Sequence, residues 1–222
     1  MKKILFIAFS LLLSISLTSC SDDNTDIDND TPEEEVGGSN IEDGEQEEVT
    51  DGDILIVYYS RTGYNYPNTW LDIGHTGRMG GYIKDYTGGT IYEIIPTVPY
   101  PDDYEETKVI SQRETANNER PEIKNPLENL DRYKIIFVGS PIWYGAPPMI
   151  MRTFYETYDL SDKTIVPFGT HAGSGISSCT ALARQYFPNA TFLESFGVSG
   201  QDVNGARNSV EAWLQRIGIQ KQ

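Results

Sequence analysis

Beyond Gly52, this 222-residue chain alternates short apolar runs with longer amphipathic stretches, and that alternation narrows the possible folds more than any other feature. The runs at 54–59, 90–95, 133–139, 164–169 and 191–196 read as strands. The stretches between and after them, at about 76–86, 102–118, 147–158, 175–187 and 206–217, read as helices. Five strands and five helices in strict alternation predict a doubly wound parallel sheet with helices on both faces, a three-layer α/β/α domain over 53–222. Right-handed crossovers leave the strand order 2-1-3-4-5 as the simplest arrangement. The segment Lys134-Ile135-Ile136-Phe137-Val138 is apolar on both faces, as a central strand covered by two helical layers requires.

The first fifty residues are of another kind. Met1, Lys2 and Lys3 precede an almost unbroken apolar run over 4–17, which closes in Leu17-Thr18-Ser19-Cys20. This is a secretory signal over 1–19, too short and too soon followed by charge to make a good spanning helix. Leu-Thr-Ser-Cys resembles the bacterial lipobox, whose cysteine is acylated and becomes the new N-terminus. That resemblance implies a lipidated Cys20 and an exported lipoprotein, held to a membrane in the periplasm or on the outer-membrane surface. A soluble secreted protein with a cysteine near its cleavage site is the alternative. Cys179 is then the sole remaining cysteine, so no intrachain disulfide is expected, and it reads as a small core residue.

From Ser21 to Asp53 the chain carries fifteen Asp or Glu and no Lys or Arg, so 20–52 is expected to be a disordered, self-repelling tether. That segment accounts for most of the formal charge of −16; from Ile54 onward eighteen acids face fifteen bases. Acidic residues directly after Cys20 resemble the surface-export signal of Bacteroides-type lipoproteins, with a plain spacer as the other reading. The signal has no twin-arginine pair, which points to the general secretory route and to a cofactor acquired after export.

In a doubly wound sheet, ligands bind at the carboxyl ends of the strands, beside the point where strand order reverses. The loops after the first, third and fourth strands are therefore the ones to read. After the first comes Ser60-Arg61-Thr62-Gly63, then an apparent insertion over 66–73, then Gly74-His75-Thr76-Gly77-Arg78 at the start of a helix. Hydroxyls, a glycine and a helix N-terminus suit an anion, although a plain Ser/Gly turn is an equal reading of this loop alone. After the third strand comes Gly139-Ser140-Pro141-Ile142-Trp143-Tyr144-Gly145-Ala146-Pro147-Pro148. Large aromatics there can cover a planar ring or anchor the loop. After the fourth comes Gly169-Thr170-His171-Ala172-Gly173-Ser174-Gly175, whose glycines allow close approach of a ligand.

These three loops, in this order, resemble the phosphate and ring loops of the flavodoxin family, and the likeness runs from Ile54 to the last helix. It includes Tyr100-Pro101-Asp102-Asp103-Tyr104 and is of the short-chain type. The resemblance implies FMN as cofactor. The phosphate would be held by Ser60, Arg61, Thr62, Gly63, His75 and Thr76. The ring would lie against Ser140, Pro141, Ile142, Trp143, Tyr144 and Gly145 on one side, with Trp143 as first choice for the covering aromatic and Tyr144 as second. The ring's pyrimidine edge would meet Thr170, His171, Gly173, Ser174 and Gly175, with His171 either a donor to the ring or a cap on the next helix. The function implied is electron transfer to an unidentified protein or small-molecule acceptor. Two alternatives remain: an FMN-dependent NAD(P)H quinone or nitro reductase, and a cell-surface binding protein that has lost the flavin. No side chain is needed as acid, base or nucleophile. No Gly-x-Ser-x-Gly, Cys-x-x-Cys or His-rich metal spacing occurs, and no nucleic-acid partner is expected.

Overall fold

The structure, a computed structural model, describes residues 51–222. The expected signal at 1–19, the lipidated Cys20 and the tether as far as residue 50 lie outside the described residues. In chain order the elements are β1 (Ile54–Tyr58), a hairpin of β2 (Gly63–Asn65) and β3 (Thr69–Leu71), α1 (His75–Thr87), β4 (Thr90–Glu93), α2 (Tyr104–Ala116), β5 (Ile135–Pro141), α3 (Met149–Thr157), β6 (Thr164–His171), α4 (Ser177–Tyr186), β7 (Thr191–Phe192), β8 (Phe196–Ser199) and α5 (Arg207–Arg216). The main sheet runs β4-β1-β5-β6, with β7 and β8 both paired to β6, and every pairing in it is parallel. Counting β7 and β8 as one interrupted strand, this is the expected order 2-1-3-4-5, a flavodoxin-like α/β fold.

Alternation of side chains along the strands divides the core. Ile54, Ile56, Tyr58, Phe137 and Phe168 face α1 and α5, where Trp213 is fully buried. Leu55, Val57, Ile136, Val138 and Ile165 face the layer of Ile150, Phe154, Leu182 and Ala183 from α3 and α4. The helix ends follow local chemistry. Asp103 caps α2 by accepting from Glu106 N at 2.8 Å, with Glu105 and Glu106 in the first turn complementing the helix dipole. Gly88, at φ 69°, closes α1 by donating to Lys84 O.

The structure departs from the sequence reading at three places that matter for the site. The fifth strand breaks between Phe192 and Phe196, where Trp213 Nε1 donates to Glu194 O at 2.9 Å and draws the backbone toward α5. β5 and β6 run two residues further than expected, so Ser140, Pro141, Thr170 and His171 sit on strand ends held by the sheet ladder. The insertion is not a loose loop: β2 and β3 pair antiparallel, Asn68 N donates to Asn65 O at 2.7 Å, and Tyr64 packs edge-on against Trp70.

Candidate functional site

At the carboxyl ends of β1, β5 and β6, beside the reversal of strand order between β1 and β5, lies a cleft of about 360 Å³. That size is within the range of small-molecule sites. Its floor is built from groups that hold the strand ends and α1 together. Ser60 Oγ accepts from Gly77 N at 2.9 Å, and a Cβ on Gly74 would lie 2.2 Å from that oxygen, so the glycine lets α1 start directly on Ser60. Thr76 and Thr170 share a buried hydroxyl hydrogen bond at 2.9 Å, tying α1 to β6. Gly63 has φ +79° and lies so close to Asp102 that a Cβ would meet its backbone at 2.8 Å.

Arg61 is 7% exposed and spends its guanidinium on main-chain carbonyls. It donates to Tyr64 O, to Pro101 O at 2.7 Å, to Asp102 O at 2.8 Å and to Asp103 O at 3.1 Å. It thereby clamps the hairpin to the start of α2, while its buried Nε has no partner. His75, on the first turn of α1, lines the cleft and packs against Gly200. Burial, and secondarily Arg78, hold its pKa below the usual imidazole value.

The loop after β5 closes as a tight turn: Trp143 N donates to Ala146 O at 2.8 Å and Ala146 N to Trp143 O at 3.1 Å. Both central residues are left-handed, Tyr144 at φ 51° and Gly145 at φ 82°, as in the turns that match strand twist. The two aromatics consequently differ in role. Trp143 is packed edge-on between Tyr59 and Tyr100, at centroid distances of 5.7 and 5.1 Å. Tyr144 stands 54% exposed at the tip of the turn. Beneath the cluster, Tyr100 OH donates at 2.7 Å to Glu114, which is 5% exposed. Burial raises the pKa of both groups.

After β6, His171 Nδ1 accepts from Gly173 N at 3.0 Å, which fixes the ring and leaves Nε2 to carry its proton. The ring braces its own loop; it does not cap α4. Gly173 and Gly175 have φ +110° and +70° with open space around them.

Of the residues singled out in the sequence, the cleft brings together Arg61, His75, Pro141, Ile142, Trp143, Tyr144, Gly145, Thr170, His171 and Ser174. Ser60, Gly63 and Thr76 lie outside its lining because their polar or small groups are used in holding α1 and the hairpin. Thr62 is exposed outside it. Ser140 is turned beneath α4, its Oγ 3.3 Å from Cys179 Sγ, where burial pushes the thiol up to about 11. Gly173 and Gly175 shape the loop without lining the cleft.

The structure adds a wall that the loop reading missed. Tyr104, Thr107, Lys108 and Ser111 face the cleft from α2, joined by Asn65 and Tyr66 of the hairpin and by Gly200 and Gln201 beyond β8. The spacing i, i+3, i+4, i+7 on α2 is the signal that could have found the first four.

The family model described as flavodoxin matches residues 72–217, so it takes in α1 and the elements through α5 but not the Ser60 loop or the hairpin. Solved structures of similar fold include a Bacteroides eggerthii DSM 20697 protein described as a flavoprotein. It is 29% identical, the match covering 76% of this chain and 99% of that one, with a TM-score of 0.60. A Bacteroides uniformis ATCC 8492 protein described in the same way is 28% identical over 75% of this chain and 99% of that one, at a TM-score of 0.61. A Lactobacillus acidophilus NCFM flavoprotein solved in complex with FMN shares the fold at 19% identity, over 69% of this chain and 97% of that one, with a TM-score of 0.51. No curated protein matches the chain.

Proposed function

This chain belongs to the flavodoxin family, and on that premise we propose that it binds FMN and works in electron transfer. The observation that carries the reading is the cleft at the reversal of strand order, with an exposed aromatic held at its rim by a left-handed turn. Flavodoxins are a standing example of ligands binding at such a point.

The residues present fit the group. Tyr144 is free to cover one face of a planar ring, while the open backbone around Gly173 and Gly175 leaves room for close approach at the other side. At the phosphate end the donor set differs from the one the sequence suggested. Ser60 and Thr76 lie outside the cleft lining, so the anion would be met by the first turn of α1, by His75 and by the charge of the Arg61 guanidinium. When bound, FMN supplies the chemistry by taking and giving one or two electrons. The chain's own part is to bind, to orient and to exclude water: Trp143, backed by Tyr59 and Tyr100, gives the cleft an apolar side, and His171 offers Nε2–H as a donor.

A second reading, an FMN-dependent reductase of small aromatic acceptors, is favoured by the extra wall of Tyr66, Tyr104 and Lys108. Titration of the purified protein with FMN, followed by flavin fluorescence, tests the shared premise. Tight one-to-one quenching supports it, and absence of binding rejects it in favour of a binding protein without flavin. Pyridine-nucleotide oxidation by the loaded protein then separates reductase from carrier. The proposal includes export and anchoring through Cys20. Cys20→Ser should release the protein from membranes, and persistent membrane association would reject lipidation at that residue.

A further inference from the structure

Three side chains around the cleft have an arrangement that ligand binding does not require. The Trp143 ring lines the cleft and meets Tyr100 edge-on at 5.1 Å between centroids. Tyr100 in turn gives its only hydroxyl proton to a carboxylate, Glu114, at 2.7 Å. Glu114 is almost fully buried, which is costly for an ionisable group and is tolerated because that hydrogen bond meets it. A surface tyrosine needs no such partner. A tyrosine that is to lose an electron does, because the oxidised phenol is a strong acid and must deliver its proton at the moment of transfer.

We propose that Trp143, Tyr100 and Glu114 form a one-electron relay that carries oxidising equivalents out of the cleft. An oxygen-centred radical formed in the cleft takes one electron from the Trp143 indole and is itself reduced. Tyr100 then returns one electron to the Trp143 radical cation, and the phenolic O–H bond breaks as its proton passes to the Glu114 carboxylate. The products are neutral Trp143, a neutral tyrosyl radical and protonated Glu114, so charge and electrons balance. Tyr100 is half-buried, and a small soluble thiol can restore it by giving one hydrogen atom from its S–H bond and leaving as the thiyl radical, after which Glu114 releases its proton. Raised basicity from burial makes Glu114 a better acceptor than an exposed carboxylate.

The use of such a relay, discharging oxidants made at a redox cofactor, rests on the proposed function; the relay itself does not. Its test therefore runs on the full chain without flavin. Azide radicals generated by pulse radiolysis oxidise tryptophan, and transient absorption follows decay of the tryptophan radical into a tyrosyl radical. Trp70→Phe is the working background, because Trp70 packs against Tyr64 and would supply a second route, whereas the ring neighbours of Trp213 are Phe137 and Phe196. In that background the tyrosyl signal should grow at the expense of the tryptophan signal. Glu114→Gln keeps a hydrogen-bond acceptor but cannot take the proton, and should slow the transfer at least tenfold. Tyr100→Phe and Trp143→Phe should each remove that phase. An unchanged rate in Glu114→Gln, or a surviving phase in Tyr100→Phe carried by Tyr59, would overturn the relay, whatever FMN titration shows.

Discussion

The turn that presents Tyr144 offers a sharp test, because its backbone and its ring should respond to substitution in opposite ways. At φ 51° Tyr144 sits where a Cβ crowds the following carbonyl, at a cost of roughly 1–2 kcal/mol. Glycine escapes that cost but loses about 0.5–1 kcal/mol through the freedom of its unfolded chain. Tyr144→Gly and Tyr144→Ala remove the same ring, which is more than half exposed in the native state. The glycine variant should therefore be more stable than the alanine variant by about 0.5–1 kcal/mol, the reverse of the usual order. Both should lose ring coverage and weaken FMN binding by on the order of 1–3 kcal/mol, taking base–aromatic stacking as the guide. That is roughly 5- to 150-fold in Kd. Urea denaturation without flavin gives the first comparison and fluorescence titration the second. An alanine variant as stable as the glycine variant would refute strain in the turn. Unchanged Kd in both would remove Tyr144 from the ring site.

Three further outcomes are expected. Ser60→Ala removes the acceptor of Gly77 N at the start of α1 and should cost about 1 kcal/mol in urea midpoint measurements, as other lost N-terminal caps do. Trp213→Ala empties a fully buried site, loses the stacked contact with Phe196 and leaves Glu194 O without its donor; a loss of roughly 3–5 kcal/mol by urea denaturation is expected. Glu114 has its pKa raised by burial, so the folded state binds its proton more readily than the unfolded chain. Its contribution is favourable below the unfolded value and is lost as pH rises through the folded one. Glu114→Gln should accordingly stabilise the protein at neutral pH, with an advantage that shrinks as pH falls toward 4.5 and below; an advantage independent of pH would contradict this.

The sheet was legible in the sequence because its central strands are short runs apolar on both faces, as at 54–58 and 135–138, in regular alternation with longer amphipathic stretches. Strand ends were less legible. Ser140, Pro141, Thr170 and His171 have loop-like composition, but the ladder between β5 and β6 holds them extended, and a long-range pairing of that kind leaves no local signal. The hairpin was hidden for a related reason: three-residue strands give no period to read. Site residues divided along the same line. Trp143 and Tyr144 are adjacent and chemically alike, and only the left-handed turn separates an anchored ring from a presented one.

The hairpin also explains why a familiar run of hydroxyls carries a different burden here. Inserting 66–73 after Gly63 moves the start of α1 along the chain, so a second glycine, Gly74, must approach the backbone of the first strand's loop. Ser60 Oγ is then turned to accept from an α1 donor and the Thr76 hydroxyl pairs with Thr170, both outside the cleft lining. Arg61 is drawn under the hairpin to neutralise four converging carbonyl oxygens, which leaves one guanidinium nitrogen, the buried Nε, without a partner. An anion at this end would thus meet fewer side-chain hydroxyls and more backbone and cationic character. A phosphate-bearing flavin should consequently lose affinity more steeply with added salt than hydroxyl-dominated binding would allow, since charge–charge attraction is screened and neutral hydrogen bonds are not. FMN titrations at low and high salt, set against riboflavin, isolate that contribution: equal salt dependence for the two ligands would mean that the phosphate is not held electrostatically.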